Sequence, residues 1–124
     1  MGRLARFEQM EVWKLARILN RRIYSVSETD AFARDFGLRD QIRRASVSIV
    51  SNIAEGFESQ SNPSFVRFLA TARGSAAEVR AQLYLALDLQ YVSIDEFKSL
   101  SSVCESISRQ LTGLITYLKS HPHR

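Results

Sequence analysis

Histidine is nearly missing from this sequence. Its two copies, His121 and His123, fall in the last four residues, a frayed tail in which unsupported imidazoles are far more often solvated than metal-bound. Cysteine occurs once, at Cys104, so no internal disulfide forms, and its register with Leu100, Ile107 and Leu111 suits a packed thiol. There is no glycine-rich phosphate loop and no paired-cysteine metal signature. Lacking a placed nucleophile, base or metal, the chain is not expected to be an enzyme, and no catalytic, metal or cofactor site is assigned. Glu55, the one acid to weigh for a hydrolase, has no basic or nucleophilic partner at helical spacing. No apolar run reaches the roughly 18 residues of a membrane span, and the first residues lack a signal-peptide core. A cytoplasmic protein without membrane contact is expected. No stretch alternates like a strand between hairpin turns.

What the chain does have is dense helical periodicity. Its 124 residues, 45% hydrophobic and 24% charged, suit one domain around a single core. Apolar spacing predicts four helices, over about 6–28, 38–57, 63–90 and 94–118. In the first, Val12, Ala16, Leu19, Ile23 and Val26 form the core face. The second contains the clearest packing signal, Gln41 to Gly56: Ile42, Ala45, Ile49 and Ile53 line one face, and Val47, Val50, Ala54 and Phe57 a second, roughly 120° away. Only a polar strip of Arg44, Ser48, Ser51 and Glu55 remains, so the helix belongs in mid-bundle or against another subunit.

Residues 29–37 read as a connection, with Phe32 and Phe36 tucked under the bundle end and Asp35 capping the next helix. Asn62 before Pro63 reads as the cap and first turn of the third helix. That helix has Phe65, Phe68, Leu69, Ala72, Ala76, Val79, Leu83 and Ala86 on its core face. A second line, Ala70, Gly74, Ala77 and Ala81, contains only small residues. Glycine costs about 1 kcal/mol against alanine inside a helix, so Gly74 either marks a backbone approach too close for a methyl group or is a tolerated helix glycine. Ser93 and Glu96 form a capping box for the fourth helix, whose seam is Phe97, Leu100, Cys104, Ile107, Leu111, Leu114 and Leu118. Short connections make neighbours antiparallel, which predicts an all-α, up-down-up-down four-helix bundle.

The net charge of +4 is modest, but it is unevenly placed: Arg3, Arg6, Lys14, Arg17, Arg21 and Arg22 face only Glu8 and Glu11 in the first 27 residues, and the rest of the chain is neutral. On a continuous helix Arg3, Lys14, Arg17 and Arg21 lie near one meridian over roughly 27 Å. Such a ribbon is either a solvated outer face or a phosphate-binding surface. Trp13 and Tyr24, a quarter turn from the core face, pack on a neighbouring helix or subunit or else stack on bases. Arg43, Arg44, Asn52 and Glu55 with Arg73, Glu78 and Arg80 read as ion pairs and hydrogen bonds fixing the register of the second and third helices, or as a ligand site.

Several of these residues also carry a resemblance. Gln41-Ile42-Arg43-Arg44-Ala45 and Ser48-Ile49, then Asn52-Ile53-Ala54-Glu55-Gly56, Phe65, Phe68-Leu69 and Ala72-Arg73-Gly74-Ser75 with Glu78, resemble the bacterial four-helix bundle proteins of the 23S rRNA intervening-sequence family. The resemblance covers roughly Phe7 to Leu118; Val50 stands where members often have proline, which leaves the second helix straighter. It makes Asn52, Glu55, Gly56, Arg73, Gly74 and Glu78 a structural motif. It also implies a homopentameric ring around an often basic channel, no catalytic activity, and kinship with the accessory subunit that partners the reverse transcriptase of diversity-generating retroelements.

These readings lead to a non-enzymatic homo-oligomer that binds RNA or DNA through Arg3, Lys14, Arg17 and Arg21, with Arg43 and Arg44 as further candidates. Trp13, Val47, Val50, Ala70, Gly74, Ala77 and Ala81 are the candidate subunit interface. The alternative is a structural or adaptor protein that binds a protein partner, such as a reverse transcriptase, and touches no nucleic acid.

Overall fold

Apolar residues at three- and four-residue spacing close into four long helices in the computed structural model, which describes residues 4–121. After a 3-10 turn at Phe7–Gln9 come α1 (Glu11–Ser27), the short α2 (Asp30–Arg34), α3 (Phe36–Phe57), α4 (Asn62–Asp88) and α5 (Ile94–Lys119). Both α3 and α5 pack against α1 and α4, so α1 and α4 sit diagonally across the bundle. Cross-helix contacts give the directions. Gln41 meets Gln82 and Ser48 meets Ser75 between α3 and α4, while Arg80 meets Glu105 and Arg73 meets Thr112 between α4 and α5. Each set runs in opposite senses along its two helices, as an up-down-up-down bundle requires. Leu19, Ile23, Ile42, Ile49, Ile53, Leu69, Leu83, Leu100, Ile107 and Leu111 are fully buried between them. None of these helices is long and apolar enough to cross a membrane.

The expected first helix is shorter than its periodicity. Met10 is extended, at φ −74° and ψ 127°, because the Gln9 side-chain carbonyl accepts from the Ala5 and Arg6 amides at 2.9 and 3.1 Å and closes a separate turn. Arg6 donates to Glu8 at 2.8 Å, a hydrogen bond that holds the Glu8 carboxyl below its ordinary range. At the other end of α1, residues expected to form a plain connection contain α2. Phe32 is buried there and stacks on Tyr91 at 5.1 Å. Phe36, expected to tuck in beside it, is instead 63% exposed with Arg39 over its ring; the slot holds one aromatic. Asp35 caps α3 as expected, accepting from the Leu38 amide at 3.1 Å, and its other oxygen accepts from the Tyr91 hydroxyl at 2.9 Å.

Other boundaries move by a residue or two. The cap of α4 is Ser61, accepting from the Ser64 amide, rather than Asn62. Asn62 turns inward, where its side-chain amide donates to the His121 carbonyl. His121 is itself ordered, its ring stacked on Tyr117 at 4.1 Å, while His123 lies outside the described residues. Helix α4 stops at Asp88 because Gln90 adopts φ 62° and the Tyr91 amide reaches back to the Ala86 carbonyl at 2.8 Å, a left-handed termination made without the usual glycine. The Ser93–Glu96 capping box is present. In α5 the buried seam passes through Ile115 rather than Leu114, since a strict heptad drifts about 20° per repeat on a straight helix.

Within the chain, the close helix approach expected near Gly74 lies elsewhere. A Cβ at Gly74 would meet nothing within 4 Å, whereas one at Gly56 would lie 2.8 Å from Phe65 Cδ1 and 2.8 Å from Phe68 Cβ. The close approach of backbones therefore occurs where the end of α3 passes α4, and Gly74 faces outward. The second apolar face of α3 is only partly covered: Val50, Ala54 and Phe57 are half-buried and Val47 is 41% exposed.

Candidate functional site

The outward face of α1 follows from its periodicity, since burying Val12, Ala16, Leu19 and Ile23 turns the residues between them to solvent. Lys14, Arg17 and Arg21 are all exposed there. Lys14 lies 3.7 Å from Glu11, an exposed pair of little energetic consequence. Arg17 sits over the Trp13 ring at 5.7 Å, and no acidic partner reaches Arg17 or Arg21 among the described residues. Because α1 starts at Glu11, this ribbon extends about 10 Å and not the longer run expected; Arg3 lies outside the described residues.

Beside the ribbon, α1 and α3 border an open groove of about 420 Å³ lined by Tyr24, Asp40, Arg43, Arg44 and Val47. Arg43 is largely committed to holding α1 on α3. Its Nε donates to Ser27 Oγ at 2.8 Å, its Nη2 reaches the Tyr24 carbonyl and Glu28 Oε2 at 3.3 and 3.1 Å, and its guanidinium lies 4.5 Å from the centre of the Tyr24 ring. Ser27 in turn donates to the Ile23 carbonyl at 2.7 Å. Sequence reasoning missed this use of Ser27 and Glu28, yet a signal existed: Ser27 falls four residues after Ile23, a polar residue in an apolar register that needs a partner. Arg44 is exposed and has no ion-pair partner among the described residues. Asp40, one turn earlier, pairs with Arg39 at 3.0 Å.

The ion pairs expected between the second and third predicted helices do not form among the described residues. Arg80 pairs with Glu105 at 3.4 Å and Arg73 donates to Thr112 at 3.2 Å, both on α5. Asn52 donates to the Ser48 carbonyl and hydroxyl within α3, and Ser48 meets Ser75 of α4 at 2.9 Å. Glu55 and Glu78 are exposed. Small polar side chains set the α3–α4 register because those helices pass too close for long ionic ones.

The candidate interface residues divide into two places. Val47 and Val50 belong to the groove side of α3. Ala70, Gly74, Ala77 and Ala81 form an exposed line on the outer face of α4, continued by Tyr84 and Leu85, which are 49% and 50% exposed. Trp13 is half-buried, packed edge-on against Phe7 at 5.1 Å. Cys104 is buried, and that burial pushes its thiol up to about 12, far from the thiolate a reactive cysteine needs at neutral pH.

Sequence comparison now bears on this arrangement. The family described as 23S rRNA-intervening sequence protein matches residues 8–113. The chain belongs to that family. A solved relative is a protein of unknown function from the S23 ribosomal protein family of Bacteroides thetaiotaomicron, whose crystal structure superposes with a TM-score of 0.78 at 25% identity, covering 84% of this chain and 97% of that one. Among curated proteins none matches. The family match spans α1 to α4 and most of α5.

Proposed function

We propose that this 23S rRNA-intervening sequence protein is a non-enzymatic homo-oligomer that binds RNA through Lys14, Arg17 and Arg21 of α1 with Arg44 of α3. The observation that carries this reading is the segregation of charge. The whole excess of positive charge belongs to the first 27 residues; Arg6 is tied to Glu8 and Arg22 to Ser99, while Lys14, Arg17 and Arg21 project outward beside a groove that adds Arg44. Phosphates are the partners such a surface suits, through contacts that are blind to sequence and weaken with salt. Oligomerisation, into the ring of five implied by the family resemblance, is supported by the small, apolar outer face of α4. Five copies would multiply the basic face without any new contact.

The adaptor reading has an observation of its own in Tyr84, Leu85 and Leu89, which are 49%, 50% and 52% exposed on and just beyond α4 and suit a protein partner as well as another copy. Retention on immobilised nucleic acid separates the two. The RNA reading expects retention at low salt that is lost as salt rises. A folded oligomer that flows through at low salt would overturn it and leave the adaptor reading.

A further inference from the structure

We infer that the groove between α1 and α3 takes a single unpaired nucleotide, with its base stacked on Tyr24, which Arg43 backs, and its phosphate on Arg44. This rests on the RNA reading of the same face and narrows it to single-stranded segments. Three features of the groove carry it.

The stacking platform is built before any ligand arrives. Arg43 is fixed by Ser27, the Tyr24 carbonyl and Glu28, and lies 4.5 Å from the centre of the Tyr24 ring, so ring and guanidinium hold each other in place. Tyr24 remains 40% exposed while the Arg43 side chain is only 18% exposed, so Arg43 backs the ring and the base stacks on the part of Tyr24 left open, as unpaired bases do on aromatic side chains.

The charges are also arranged with direction. Asp40 and Arg44 are four residues apart on one face of α3 and both line the groove, one turn from each other. One Asp40 oxygen is taken by Arg39 at 3.0 Å, leaving the other to accept from a base amino group, while Arg44, with no ion-pair partner among the described residues, attracts the phosphate at the other end. Val47, 41% exposed, gives the groove an apolar wall for the ribose or base.

Size is the third feature. The groove is open, about 420 Å³ in volume, with room for one nucleotide laid against its wall rather than enclosed. A duplex keeps its bases stacked inside and offers nothing to the platform.

The test is fluorescence anisotropy of a labelled single-stranded RNA and of a duplex, with the full chain, at low salt. Tyr24→Leu should lower single-strand affinity roughly tenfold and leave duplex affinity within about twofold, while Tyr24→Phe keeps both. Arg44→Gln, at an exposed position that leaves folding intact, should weaken single-strand binding and remove close to one unit from its salt slope. Equal losses on both RNAs, or unchanged single-strand binding in Tyr24→Leu and Arg44→Gln, would overturn the nucleotide site while the basic ribbon still bound RNA. Absence of binding to either RNA by the wild-type protein would overturn the RNA reading and this inference with it.

Discussion

On its outward face α1 carries Lys14, Arg17 and Arg21, whereas α4, diagonally opposite, carries Ala70, Gly74, Ala77 and Ala81. Both faces are exposed, and both belong to helices whose inner faces are equally well buried. A bundle needs only the inner stripe, so the outer faces are free to record what else the helix meets. Charge on α1 is compatible with water or with a polyanion. About three turns of small residues on α4, Ala70 to Ala81, give up the charge that an outer face normally carries, which is what the proposed oligomer would use. The helices also differ in how they are held. Polar ties fasten α1, from Arg43 to Ser27 and Glu28, from Ser46 to Asn20 and from Arg22 to Ser99. Helix α4 has polar ties too, from Gln82 to Gln41, Ser75 to Ser48, Arg73 to Thr112 and Arg80 to Glu105, but it adds a longer row of buried residues, from Phe65 to Ala86, than the Val12–Ile23 stripe of α1.

Substitutions sharpen that contrast. The largest effect belongs to the inner side of α4. Gly56→Ala places a methyl group 2.8 Å from Phe68 Cβ, which backbone must move to relieve, and overpacking of this kind costs about 1–3 kcal/mol; thermal melting reads it as a drop of several degrees. On the α1 side, Arg43→Ala removes three hydrogen bonds and the stack on Tyr24, at about 1–2 kcal/mol. Glu28→Gln should cost much less, since Glu28 is 75% exposed and exposed pairs contribute little. A loss in Glu28→Gln as large as in Arg43→Ala, by urea unfolding, would mean that the ion pair rather than the other hydrogen bonds and the stacking holds α1. Smallest, and decided by sign, is Gly74→Ala. In open solvent it should stabilise by up to about 1 kcal/mol through helix propensity. With α4 pressed against another copy, the same methyl group lowers the melting temperature and the assembled mass measured by light scattering.

Much of the bundle was legible in the chain. Core positions of α1, α3, α4 and most of α5 follow from spacing alone because burial acts on periodicity, and the Asp35 cap and the Ser93–Glu96 box follow from side-chain chemistry at helix starts. The misreadings share a cause: each depends on a contact distant in sequence or on an unusual backbone. Met10 breaks the first helix because Gln9 closes its own turn; Gln90 ends α4 in the left-handed region with no glycine to announce it. Within the chain it is Gly56, and not Gly74 in its line of small residues, that makes the close approach, because Phe65 and Phe68 return to Gly56 from the next helix. On α1 the exposure of Lys14, Arg17 and Arg21 was legible from spacing, while Arg3 lies outside the described residues. The groove was not legible, because it needs Tyr24 from one helix and Arg43 and Arg44 from another, and the distance between helix faces is set by packing.

The most direct test of the basic face is the salt dependence of single-stranded RNA binding by the wild-type protein and by a variant with Lys14, Arg17 and Arg21 all changed to Gln, with mass measured by light scattering on the same preparations. The account predicts wild-type affinity that falls steeply with salt, and a variant of unchanged mass whose binding is lost or whose log–log salt slope is shallower by about 2. Unchanged affinity and slope in a variant of intact mass would contradict it and remove α1 from the binding surface.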